Sequence, residues 1–253
     1  MDYNEMVREA TWPASRLYHE QSKLTEHRAR IFAEGIELFS SQSPTSGGVT
    51  KQFPMKPFVE LPRASKRGPR LFDMLRTRRS QQTPFDDRPI SLDETGAMLE
   101  LSFGETNGGR AWPSAGALYP LDLYVVALNC SGAPRAIHFY DIATHGLSQV
   151  GPCPDDEHLS KVIFADNVWP NAAMAIVLVG VFERCQKKYD ERGYRFVLNE
   201  AGHVAQNFLL IAQALGLGGV SIGGYCEDEL TRIIGLDPKV ESPVYVMLFG
   251  ARR

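Results

Sequence analysis

An α+β fold is what this sequence predicts, and three observations carry the expectation. Four segments are rich in β-branched and aromatic residues, as strands are: "LDLYVVAL" (Leu121 to Leu128), "AIHFYD" (Ala136 to Asp141), "AMAIVLVGVF" (Ala173 to Phe182) and "VYVMLFG" (Val244 to Gly250). Between the last two lies a long stretch of helical period. Strands and helices otherwise mix without the regular βαβ alternation that a parallel sheet requires.

Taken in chain order, residues up to Phe39 have an amphipathic helical pattern, clearest from Arg30 to Phe39. "SSQSPTSGGVTKQFP" (Ser40 to Pro54) follows as a polar stretch punctuated by Gly and Pro, the composition of a flexible linker. The expected organisation is therefore an N-terminal helical extension with its linker over residues 1–70 and a compact domain over 71–253. Inside that domain "ISLDETGAMLELSF" opens a helix, because Ser91 with Glu94 three residues on is a capping box. The longest helix is "NEAGHVAQNFLLIAQALGLGG" (Asn199 to Gly219). Val197, Ala201, Val204, Phe208, Ile211 and Leu215 step by four and three along it, and Gly216 or Gly218 ends it. Its second half is apolar almost all round, which predicts burial in the core or in a subunit interface.

Composition narrows the function classes. The chain has 253 residues, 43% hydrophobic and 23% charged, with a net charge of −3. That is a globular composition with no global field to hold nucleic acid or an anionic membrane. Basic residues do cluster between Arg63 and Ser80, a patch suited to one phosphate-bearing ligand. "MDYNEMVREATW" lacks the apolar core of a signal peptide, and the longest apolar run, Ala172 to Phe182, is too short to span a bilayer. The four cysteines form no C-x-x-C pair and the six histidines lack metal-ligand spacing, so the expectation is a cytoplasmic protein without a metal.

Four stretches stand out as chemistry-bearing, each with a plain structural reading beside it. "RTRRS" (Arg76 to Ser80) places guanidinium forks beside a hydroxyl, which suits a terminal phosphate but equally describes a basic helix end. "RAWPSAGALYPLDLYVV" (Arg110 to Val126) is a rigid Pro- and Ala-containing loop before a strand, able to lay its backbone against a planar ring or simply to turn tightly. "GLGGVSIGG" (Gly216 to Gly224) is glycine-rich but follows a helix, so it is no Rossmann fingerprint; it allows close backbone approach to a flat ligand, or caps a helix and turns a strand. "CQKKYDERGYRF" (Cys185 to Phe196) sets an amine and a phenol behind an apolar run, and alone it reads as a solvated turn.

Together these stretches are more specific. "RRS", "PSAGALYPLDLYVV", "KYDERGYRFVLNEAGHVAQNFLLIAQALGLGG" and "SIGGY", in this order, resemble the nitroreductase-like flavoprotein superfamily and, within it, the SagB-type dehydrogenases. "ASRLYHEQSKL" (Ala14 to Leu24) resembles the N-terminal extension of that group. The resemblance implies a central, mostly antiparallel sheet flanked by helices, in a homodimer that binds FMN at the subunit interface. It assigns the phosphate to Arg78, Arg79 and Ser80, with Arg252 near the C-terminus. Gln82 stands where relatives often carry a second basic residue. Pro113, Ser114, Ala115 and Gly116 would lie by the isoalloxazine, Gln206 would face it, and Gly218, Gly219, Ile222, Gly223 and Gly224 would approach it through backbone amides.

For activity, the resemblance implies oxidation of azoline rings to azoles in a ribosomally made peptide, with Lys188 and Tyr189 as the catalytic pair and oxygen as the final acceptor. A lysine amine is almost wholly protonated in neutral water, so service as a base requires partial desolvation or a neighbouring positive charge. Lys187 has no matching role and is expected at the surface. A cyclodehydratase is the implied partner. Two other readings stay open: an NAD(P)H-dependent nitro- or ene-reductase on the same fold, and a flavin-holding scaffold subunit of a peptide-modifying complex.

Overall fold

The computed structural model describes residues 13–42, 50–65, 68–106 and 108–252. The start of the expected extension and the Gly-rich centre of the expected linker lie outside them. Among the described residues two helices come first, α1 (Ala14–Gln21) and α2 (Glu26–Gln42), followed by the short strand β1 (Phe58–Glu60) and helices α3 (Leu71–Thr77) and α4 (Leu92–Phe103). A small hairpin, β2 (Glu105–Thr106) and β3 (Gly109–Arg110), leads to β4 (Leu121–Ala127), β5 (Ala136–Asp141), β6 (Gly146–Pro152) and α5 (Asp156–Val162). Then come β7 (Met174–Val181), α6 (Phe182–Tyr189), α7 (Arg192–Ala214), β8 (Leu217–Ile222), α8 (Glu227–Ile234) and β9 (Glu241–Ala251).

Seven strands form one sheet in the order β1-β6-β5-β4-β7-β9-β8, and every neighbouring pair is antiparallel. The centre is β4, β7 and β9. These strands are apolar on both faces because each face is covered: α4 and α7 bury one (Met98, Leu99, Val204 and Phe208 with Leu123 and Met247), and α5 with α8 bury the other (Leu159, Leu230 and Ile234 with Val177 and Leu248). The α+β expectation and the antiparallel sheet both hold.

Local signals explain the element ends. Ser91 Oγ accepts the Glu94 amide while the Glu94 carboxylate takes the Ser91 amide, so the capping box forms as read. On α7 the stripe Val197, Ala201, Val204 and Phe208 is buried, whereas Ile211 and Leu215 are only half-buried. Phe182, expected at the end of a strand, instead starts α6, and "CQKKY" is helix rather than turn; the chain reverses at Asp190, whose φ is +48°.

The second part of the expected linker is packed. β1 pairs with β6, Leu61 is buried, and Lys51 forms an ion pair with Glu241, so the sheet begins well before Leu71. Single apolar residues in a polar context carry this, and composition does not reveal them.

Candidate active site

The proline-serine loop and the Lys-Tyr pair, far apart in sequence, meet. Gly116 has φ +60°, and a methyl built on it would overlap the Tyr189 hydroxyl and lie 3.0 Å from Lys188 Nζ. The loop is held in a conformation that side chains resist: Ala117 and Tyr119 also have positive φ, at +53° and +47°. Ser114 staples it, since its Oγ accepts the Tyr119 amide at 2.9 Å. Ser114 Oγ in turn donates to Glu200 Oε2 at 2.7 Å, and Trp112 Nε1 donates to Glu200 Oε1 at 2.6 Å. The loop is thus anchored at two points to one carboxyl on α7. Pro113 and Gly116 are exposed, and Ala115 is half-buried.

Glu200 was not among the residues the sequence singled out. It is 2% exposed, and burial pushes its carboxyl up to about 7, against the pull of its Trp112 and Ser114 hydrogen bonds and the nearby Arg110. A signal existed: Glu200 lies three residues after Val197 and four before Val204, so the helical period puts a carboxyl on the core face.

Lys188 and Tyr189 occupy the last turn of α6. The start of that helix is tied to β4 by Arg184, which grips Asp122 with two bonds of 2.7 and 3.2 Å. Both Lys188 and Tyr189 are half-buried. The Lys188 amine sits 5.8 Å from the Phe39 ring centre, and Tyr189 stacks on Phe32 at 5.9 Å and meets Phe196 edge-on. Burial raises the Tyr189 phenol above its ordinary range, so it stays a neutral donor. Lys187 is exposed and pairs with Glu183, as a surface residue should.

Of the remaining candidates, Arg78, Arg79, Ser80, Gln82, Gly218, Gly219 and Arg252 gather at the other end of α7, whereas Ile222, Gly223 and Gly224 lie further along β8, back toward the Val197 end. Arg78 ends α3 and comes within 3.5 Å of Ser80 Oγ; Arg79 caps carbonyls of Arg76 and Arg78. Among the described residues neither guanidinium has a carboxylate partner. The segment then lies along β8, with the Gln81 amide donating to Gly219 O at 3.0 Å and the Asp86 amide to Ala251 O. Arg252, exposed, leaves this same edge. Gln82 is exposed, while its neighbour Gln81 is buried and bonds Thr83.

Gly218 and Gly219 are buried rather than open. An added Cβ would meet Gln81 Oε1 at 2.7 Å and Phe249 Cε1 at 2.6 Å, so their smallness serves packing of the sheet edge. Ile222 is also buried, Gly224 lies under Phe164, and Gly223 is exposed with open space beside it. Gln206 is exposed on α7 between the two groups. The separation is large. Gln213 bonds Thr77 next to the arginines, and thirteen residues from Glu200 to Gln213 span about 20 Å of helix.

Comparison with known proteins agrees with this architecture. The model of the nitroreductase family matches residues 75–251. The chain belongs to the nitroreductase family. Within it, the protein is 31% identical over 185 residues to MJ1384 of Methanocaldococcus jannaschii, named as a nitroreductase, covering 72% of this chain and 91% of that one. It is 28% identical over 184 residues to the microcin B17-processing protein McbC of Escherichia coli, covering 65% of this chain and 64% of that one. A nitroreductase structure from Anabaena variabilis superposes with a TM-score of 0.76 at 19% identity, over 96% of this chain and 49% of that one. The E. coli microcin synthetase McbBCD complex, solved with truncated pro-MccB17 bound, contains a chain with TM-score 0.61 at 20% identity, over 92% of this chain and 99% of that one. A Desulfovibrio desulfuricans family structure in complex with FMN gives 0.51 at 21% identity, over 72% and 85%. Among the described residues of this nitroreductase-family protein, no helix is long and apolar enough to cross a membrane.

Proposed function

We propose that this protein is an FMN-dependent dehydrogenase of the SagB type, which oxidises azoline rings in a ribosomally made peptide to azoles. The observation that carries the reading is the meeting of Lys188 and Tyr189 with Gly116, an amine and a phenol held over a loop suited to a planar ring. Support comes also from the relatives, since McbC is named for processing a microcin and the McbBCD structure holds a pro-peptide.

The donor set fits FMN. Arg78 and Arg79 present guanidiniums that have no carboxylate partner among the described residues, beside Ser80; these would hold a phosphate, and Arg252 would add a third charge where Gln82 offers none. The loop Pro113 to Gly116 would flank the ring system. FMN supplies two-electron acceptor chemistry when bound. The chain's own residues do the rest. Lys188, shielded on one side by Phe39, takes the proton that leaves the azoline ring. Tyr189, neutral and fixed by Phe32 and Phe196, donates a hydrogen bond to the ring nitrogen or orients the amine. Glu200 holds the loop to which both residues are fitted.

The two residue groups lie about 20 Å apart along α7, so one flavin is best served by the arginines of one chain and the loop of another. α3 exposes Leu71, Phe72 and Leu75 beside the arginines, an apolar patch of the kind that subunit contacts cover. A homodimer in the cytoplasm, working with a cyclodehydratase, completes the proposal.

The test is Lys188→Ala on FMN-loaded protein. Azoline oxidation should fall about 100- to 10,000-fold, the usual contribution of a general base, while the protein stays yellow. Undiminished turnover would remove Lys188 from the chemistry. The match to a protein named as a nitroreductase favours the reductase as the second reading. Bleaching of the flavin by NADPH without oxygen, with no azoline oxidation, would select it.

A further inference from the structure

The sequence leaves the N-terminal extension without a role, and the structure places it on the candidate catalytic pair. Tyr18 Oη donates to the Glu191 carbonyl at 3.0 Å, Arg195 Nε to Ser22 Oγ at 2.8 Å, and Arg192 Nη1 to the Ser22 carbonyl at 3.0 Å. These bonds fix the α1–α2 turn against the α6–α7 turn. Behind them one face of α2 (Arg28, Ile31, Phe32 and Gly35) and the segment Gln186 to Arg192 enclose a cleft of about 640 Å³. Lys188 and Tyr189 form part of its wall, and Gly116 lies on another side of the pair. The pair therefore separates the proposed flavin loop from the cleft.

We infer that this cleft holds the peptide chain flanking the reacting ring, so that α2 is a substrate-binding wall. The inference rests on the azoline-oxidase reading. Its size is that of a ligand pocket, which runs from about 300 to 1,000 Å³. Arg28 to Gly35 spans about 10 Å of helix, the length of about three extended residues. The lining suits a peptide. Ile31 is 58% exposed and Phe32 is half-buried beside it, while Gln186, and the N–H groups that Arg28 and Arg192 do not already give to the Gln21 and Ser22 carbonyls, are donors for peptide carbonyls. Among the described residues Arg28, Lys188 and Arg192 have no carboxylate partner. The turn opposite reverses at Asp190, whose φ of +48° is uncommon for a residue with a side chain.

Gly35 makes the inference testable, because a Cβ built there meets nothing within 4 Å. Gly35→Trp should fill the cleft without disturbing the fold, and Ile31→Glu should spoil its apolar side from an exposed position. The probes are a short synthetic peptide with one internal thiazoline and free 2-methylthiazoline, both given to FMN-loaded full-length protein. Each variant should raise KM for the peptide at least about tenfold more than for the bare ring. Equal KM changes for the two probes, or none in either variant while wild type oxidises the peptide, would overturn the cleft assignment and leave the oxidase reading standing. Wild-type protein that oxidises neither probe would bring down both.

Discussion

Replacing Glu200 by Gln isolates one buried proton. The carboxyl titrates at about 7 in the fold against an ordinary 4.5, because burial penalises the charged form more than the Trp112 and Ser114 bonds favour it. Between those two pH values the folded chain binds the proton and the unfolded chain does not. Stability from this group is therefore full below about pH 4.5 and is lost as pH rises through 7. Two and a half pH units at about 1.4 kcal/mol each make the loss about 3 kcal/mol. Glutamine mimics the protonated form and cannot ionise. Relative to wild type, Glu200→Gln should be near neutral at pH 5 and more stable by up to about 3 kcal/mol at pH 8. Urea unfolding of the FMN-free protein at the two pH values measures this, and titration of other groups cancels in the difference. Glu200→Ala should instead destabilise at both, since it strands two donors at about 1–3 kcal/mol each. A Gln-minus-wild-type difference that does not move with pH would refute the buried-proton argument.

Three further outcomes are expected. Gly116→Ala should lower azoline turnover about as far as Lys188→Ala does, because its methyl overlaps the Tyr189 hydroxyl; full activity in a folded variant would mean the loop and pair do not work together. Arg78→Ala should weaken FMN binding roughly 10- to 150-fold, the worth of a charge-assisted bond, as followed by flavin fluorescence; an unchanged Kd would move the phosphate elsewhere. Light scattering of the FMN-loaded protein should give a dimer, and Leu71→Asp with Phe72→Asp should release monomers that lose FMN; a wild-type monomer that retains FMN would contradict a shared site.

Strand identity was legible because it depends on local composition: Leu121 to Ala127 and Met174 to Val181 lie where their β-branched runs put them. The capping box and the buried stripe of α7 were legible for the same reason, each being a pattern within one turn or a few. What could not be read is long-range. Gly218 and Gly219 mark close backbone approach in the sequence, but that Gln81 and Phe249 pack against them depends on residues distant in the chain. Glu200 fell on a core stripe, but a buried carboxyl has meaning only with its partners, and Trp112 and Ser114 stand 88 and 86 residues away. The Lys-Tyr pair lies between these cases. Its residues were identified by motif, yet as a peptide they describe a basic helix end. Three contacts that no spacing announces change that: Phe32 against Tyr189, Phe39 against Lys188, and a glycine whose missing side chain leaves room for both polar ends. A helical extension, a strained loop and a helix end must all be in place before the amine and phenol are set side by side. Chemistry proposed for such a pair is therefore sensitive to changes in each of them, including the extension more than 140 residues earlier in the chain.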